Sequence, residues 1–165
     1  MGHEQSIEQA RKQPGLLYAD QEIAYNLALR LLGDSPAALQ TLQTTVRRIP
    51  AGHNAHLQFL GLVVALCRDR WRTRQATWSV TPPVGQATTS PPGAPRPPSP
   101  GEAWLEQGIW QLPFEQRAVL LLHDAHSYTY EEVAEIAGLR VSAVETCLAQ
   151  ARRALRDFLQ AQGAL

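Results

Sequence analysis

The chain has 165 residues, of which 44% are hydrophobic and 18% charged. That is enough apolar material for one ordinary domain or two small ones, and too much for wholesale disorder. Fifteen basic residues balance fifteen acidic ones, which argues against a binder held to nucleic acid by bulk charge alone.

The charge is polarised along the chain. Residues 1–101 hold ten Lys and Arg against six Asp and Glu, whereas residues 102–165 hold five against nine. Residues 1–15 are polar and charged and do not read as a signal peptide. Tyr18, Ile23, Leu27 and Leu31 recur at helical spacing and predict a helix over Gln21–Leu32, stopped by Gly33. Ser35 then predicts the cap of a second helix with Pro36 in its first turn, and Leu39, Leu42 and Val46 as its inward stripe. A third helix is expected over about Ala55–Arg72, with Leu57, Leu60, Val64 and Cys67 inward. Its apolar run, Leu57–Cys67, is too short to span a bilayer. No membrane insertion is expected, and a cytoplasmic location follows.

Composition then changes sharply. Eight of the twenty residues from Thr81 to Pro100 are proline, which cannot continue a helix or a sheet ladder, so the stretch reads as an extended linker. Helical patterns resume at Glu102–Trp110 and at Phe114–Asp124. Thr129 with Glu132 predicts a capping box that opens a short helix through Ala137, and Gly138 a left-handed turn. Ser142 with Glu145 predicts a second capping box and a long helix to about Gln160, with Val144, Leu148, Ala151, Leu155 and Phe158 inward. The expected fold is all-α: a helical domain over 1–78, a Pro-rich linker over 79–101, and a second helical domain over 102–165. Cys67 and Cys147 both sit in apolar helical patterns and read as small core residues rather than a disulfide.

Tyr130–Ala149 fits a helix-turn-helix. Ala134 is the small residue where the two helices meet, Gly138 tolerates positive φ at the turn, and Val144 is the plug early in the second helix. Val133, Ala137 and Leu139 fill the remaining positions. Two short helices at a steep angle bury little unless all these positions agree, so the pattern is demanding. The alternative is an ordinary helical hairpin.

Leu112-Pro113, Arg117, Val119 and Leu122, then Tyr128 through Ala134, Gly138, Val144 and Ala151-Arg152 resemble the second DNA-binding domain of extracytoplasmic-function sigma factors of the sigma-70 family. The resemblance is good over about Glu102–Leu159. It is fainter at Ala28–Asp34, Gln43, and Phe59-Leu60 through Asp69 and Arg72. It implies a first domain that grips core RNA polymerase and opens the promoter, and a second that reads the −35 element. Departures from the family pattern are specific: Gln40 and Thr44 replace acidic residues flanking Gln43, Ala65-Leu66 replace Arg-Asn, and Glu145, Cys147 and Gln150 stand where basic residues are usual.

By this resemblance Gln43 and Arg47 bind polymerase. Arg140, Ser142 and Thr146, at the start of the recognition helix, contact promoter DNA, and Arg153 further along is placed for phosphate or solvent. Arg68, Arg70, Arg72 and Arg74, with Trp71 and Trp78 between them, form a basic-aromatic stretch that would meet an unwound strand or remain a solvated helix end. An anti-sigma factor is a possible further partner. Two histidine pairs, His53 with His56 and His123 with His126, lack the Cys or carboxylate partners of a metal site. No cofactor, metal or catalytic motif is expected, and so no enzyme. Two rival functions remain: a degenerate sigma-like protein that binds polymerase or an anti-sigma factor without opening promoters, and a stand-alone helix-turn-helix regulator.

Overall fold

Every expected helix forms, and where an end or a face differs a local contact accounts for it. The computed structural model describes residues 18–48, 55–78 and 100–163, and among these it contains α-helices, one π-helical turn and no strand. Most of the expected linker, and His53, lie outside the described residues. Helix α1 spans Tyr18–Leu32 and ends at Gly33 with φ +64°. Glycine is doubly required there, because a Cβ would fall 2.3 Å from Trp110 Cζ2. Helix α2 spans Ser35–Val46. Asp34, not Ser35, holds the cap position, with Pro36 in the first turn as expected. The inward residues of α2 are Ala38, Thr41 and Thr45, while Leu39 points outward at 49% exposure. The threonines can be buried because their hydroxyls donate back to Ala37 O at 2.8 Å and Thr41 O at 2.9 Å.

Helix α3, Ala55–Trp78, runs past the expected end at Arg72. Its last turns are anchored by Arg74, which donates to Leu32 O at 3.0 Å and pairs with Asp34. Helix α4, Pro100–Gln111, starts within the stretch expected to be linker, where proline suits a first helical position. Helix α5 covers Phe114–Leu120 and passes into the π-helical turn Leu121–Ala125. Helices α6, Tyr130–Ala137, and α7, Val141–Ala161, complete the chain.

Helices α1, α2 and α3 pack on one another, and α5, α6 and α7 do the same. The two groups meet where α3 lies against α6, so that one buried cluster runs from Ala24 and Leu27 through Phe59 and Val63 to Val119, Val133 and Leu148. Helix α3 has apolar residues on nearly all sides from Leu57 to Cys67, as a helix covered on two faces must. Cys67 is wholly buried, which pushes its thiol up to about 12, whereas Cys147 is half-buried.

Arg117 is buried to 0% exposure in the midst of this cluster. Its guanidinium donates to Ile109 O (3.2 Å), Trp110 O (2.8 Å), Leu112 O (3.1 Å) and, across the two groups of helices, Leu31 O (3.0 Å). It also lies 4.6 Å from the Trp71 ring centroid and 4.4 Å from that of Trp110. Burial lowers its pKa only to about 10, so it stays charged at neutral pH. Removing the side chain takes the donor from four carbonyls, of which Ile109 O alone keeps a second one, Leu112 N at 3.2 Å. We expect Arg117→Ala to cost about 3 kcal/mol or more in urea unfolding, with Arg117→Lys recovering only a minor part because an ammonium cannot reproduce the planar fork. A loss under about 1 kcal/mol would contradict this role.

Candidate nucleic-acid interface

The turn between α6 and α7 is built from the residues singled out in the sequence. Thr129 Oγ1 accepts from Glu132 N at 3.3 Å, and Glu132 Oε2 accepts from Thr129 N at 2.9 Å, which closes the capping box and fixes the start of α6. Gly138 ends α6 at φ +68°, ψ +37°, and Leu139 N returns to Ala134 O at 2.9 Å. Val133, Ala134, Ala137 and Val144 are buried and Leu139 is half-buried, so the two helices meet on the predicted side chains. Arg152 holds the assembly from the far side through a two-pronged pair with Asp124.

The second capping box does not form. Helix α7 begins at Val141 with Arg140 in the cap position and no side-chain cap. The Arg140 carbonyl accepts from Ala143 N and Val144 N, at 2.9 and 3.1 Å. Ser142 lies inside the first turn, so its hydroxyl cannot do the work of a cap residue. Glu145 is left on the exposed face without the structural duty that would explain it.

Arg140, Ser142, Thr146 and Arg153 are all exposed. Thr146 Oγ1 donates to Ser142 O at 3.0 Å, which places these two side chains one turn apart on a single face. Thr146, Glu145, Ala149, Gln150 and Arg153 line one shallow depression along α7, with the Gln150 amide oxygen accepting from Gln116 at 3.1 Å. The structure thus gathers Ser142, Thr146 and Arg153 on one side of α7, with Arg140 at its start. Val141 is also outward, at 39% exposure, and escaped sequence reasoning because an isolated valine at a helix start carries no signal. Gln43 and Arg47 are exposed on α2, in the other half of the molecule, in line with the outward Leu39.

The basic-aromatic stretch is largely engaged within the protein. Arg68 contacts Glu115 and the Ala137 carbonyl, Arg70 donates to Gln40 Oε1 at 3.0 Å, and Arg74 holds Leu32 and Asp34. Trp71 packs against Trp110, Phe114 and Arg117. Arg72 is exposed. The side chain of Trp78 lies outside the described residues. The histidines serve the packing as well: His56 lies 2.8 Å from Asp20 and 2.6 Å from the Tyr128 hydroxyl, and His123 Nδ1 lies 2.7 Å from Tyr128 O. Among the described residues no three potential metal ligands converge.

An exposed second helix on a helix-turn-helix, with its first turns free, defines a protein of the class that enters the major groove of duplex DNA. Comparison makes this more specific. Residues 103–155 match the family described as sigma-70, region 4. The whole fold is similar to that of the sigma factor RpoE from Bartonella quintana, solved in complex with the anti-sigma factor NepR. The TM-score is 0.68 and the identity 17%, over 86% of this chain and 92% of that one. No curated protein sequence matches the chain. Residues 103–155 are thus similar to the sigma-70 region 4 family, and the chain as a whole has a fold similar to that of this sigma factor.

Gly138 is the sharpest test of the turn. A Cβ there would meet nothing within 4 Å, so the cost of a substitution is backbone strain alone. Gly138→Ala should lower stability by about 1 kcal/mol in urea unfolding, and Gly138→Asn by less, since asparagine tolerates the left-handed region. Equal stability of all three chains would show that the turn does not need positive φ.

Proposed function

We propose that this protein is a sigma factor of the extracytoplasmic-function type, which binds core RNA polymerase and directs it to promoters. The observation that carries the proposal is the free N-terminal face of α7 on a region 4 helix-turn-helix, with Arg140, Ser142 and Thr146 exposed on it. Arg140 suits a guanine edge, Ser142 and Thr146 suit base or backbone, and Arg153 suits phosphate. Gln43 and Arg47 on the outer face of α2 take the polymerase-binding role. The division of labour follows the boundaries 1–78, 79–101 and 102–165, with polymerase and promoter opening assigned to the first part and −35 reading to the last. An anti-sigma factor fits as a partner, since the fold is similar to that of a sigma factor solved with one. No described helix is long and apolar enough to cross a membrane, and a cytoplasmic site of action fits a polymerase subunit. Binding and positioning, with no chemistry of its own, account for every residue assigned a role.

A second reading has a specific observation behind it. With Arg68, Arg70 and Arg74 engaged internally, and Ala65-Leu66 in place of Arg-Asn, little in α3 remains to hold an unwound strand. A sigma-like protein that occupies polymerase or an anti-sigma factor without opening promoters fits that surface. A stand-alone regulator is the third possibility and predicts DNA binding without polymerase.

Run-off transcription with purified core polymerase separates these readings. The sigma-factor reading expects a specific transcript and a loss of tenfold or more for Arg140→Ala, the scale of one lost base contact of about 1–3 kcal/mol. Glu145→Gln should act in the opposite direction, tightening promoter binding most at low salt by removing a charge that phosphate repels. Core binding without any transcript would select the second reading.

A further inference from the structure

A cleft of about 490 Å³ opens between the last turns of α3 and the junction of α4 with α5. Its volume is that of a small-molecule site, and none of the residues assigned above to DNA or polymerase lines it. Charge is unevenly matched there. The one carboxylate on its wall, Glu115, is held by Arg68, whose Nε lies 2.8 Å from Oε1 and whose Nη2 donates to Oε2 at 2.9 Å. Arg117 lies behind the wall, satisfied by four carbonyls and by no carboxylate. Arg72 is exposed at the rim and forms no ion pair among the described residues. Two guanidinium charges therefore stay unmatched beside a partly desolvated surface, where their field is screened less than in open solvent.

The aromatic lining points to the other half of a ligand. Trp71 and Trp110 both face the cleft, their ring centroids 6.1 Å apart and the rings tilted by 40° instead of stacked flat. The Arg117 guanidinium covers each of them, at 4.6 and 4.4 Å from the centroids, yet Trp110 remains 36% exposed. A flat ring laid on that indole would bury apolar area that is now wet. Gln111, also exposed on the wall, carries an amide that offers a donor and an acceptor side by side.

We propose that this cleft binds a free purine mononucleotide, with the base laid on Trp110 and Trp71, its edge met by Gln111, and the phosphate held by Arg72. Inorganic phosphate alone would leave the indoles bare, and an uncharged ring would leave the guanidiniums unmatched. A nucleotide answers both. A guanidinium fork matches phosphate oxygens in pairs, which favours Arg72 for that end. The Glu115 carboxylate on the same wall disfavours a run of phosphates, so one nucleotide fits better than a strand. The site lies apart from the exposed face of α7 and stands whether or not the protein directs transcription.

Titration calorimetry of the full chain with adenosine and guanosine monophosphate tests this. At least one of the two should bind, more weakly as salt is raised. Adenosine or guanosine without phosphate, and ribose phosphate without a base, should each bind roughly tenfold more weakly or worse, since each lacks one of the two anchors. Arg72→Glu, at an exposed position, should weaken the nucleotide by roughly tenfold or more with helix content unchanged by circular dichroism. In two-dimensional NMR the indole N–H signals of Trp71 and Trp110 should shift on binding, while that of Trp104, which does not line the cleft, should stay in place. The proposal is overturned if neither nucleotide binds at millimolar concentration, if Arg72→Glu binds as well as the parent chain, or if the Trp71 and Trp110 signals do not move. Tighter binding of a short single-stranded DNA than of either mononucleotide, undiminished in Arg72→Glu, would overturn it too, in favour of a strand-binding groove elsewhere.

Discussion

A buried positive charge organises this protein. The Arg117 guanidinium sits at the junction of α1, α3, α4 and α5, where four backbone carbonyls and two tryptophan faces take the place of water. An unpaired charge in such a place would be prohibitive, and a charge satisfied by a carboxylate would need a second ion in the core. Carbonyl oxygens avoid both costs but must be fixed in space. They come from the ends of helices: Leu31 just before the Gly33 stop of α1, and Ile109, Trp110 and Leu112 around the end of α4. The charge therefore dictates where those two helices terminate and how closely they approach. Gly33 follows from the same constraint, since the Trp110 ring that covers Arg117 fills the space a side chain at Gly33 would need.

Much of this was legible in the sequence, and the misses share a cause. The helix-turn-helix was readable because its signals are local: a capping box within four residues, a glycine at a left-handed turn, a valine at fixed spacing. Leu39 was misassigned inward because periodicity alone cannot say which of two adjacent stripes faces the core, and threonines that satisfy their own hydroxyls are invisible to an apolar count. The second capping box failed because the helix starts two residues earlier than Ser142, with Arg140 in the cap position and no side-chain cap. Arg68 and Glu115 were missed as partners because they lie 47 residues apart in sequence and on opposite halves. Nothing in either local pattern points to the other. Arg117 left a faint trace, a lone charge beside an apolar run, which identified a motif but not the carbonyl cage.

The charge polarity of the chain takes on meaning in this frame. The acidic C-terminal half does not need bulk positive potential if polymerase supplies much of the affinity for promoter DNA and α7 supplies selectivity. On the proposed function a few exposed polar groups at a helix start then suffice, and Glu145 would repel a nearby phosphate. The same acidity serves the packing, because Glu115 pairs with Arg68 of the basic N-terminal half.

The central claim is that α7 enters promoter DNA as part of a polymerase complex. A photo-crosslinking amino acid at Ala149, exposed on the depression between Thr146 and Arg153, tests it directly. The account predicts crosslinks to a single upstream stretch of promoter duplex when core polymerase is present, and few or none when it is left out. Crosslinks to protein alone in the full assembly would contradict it.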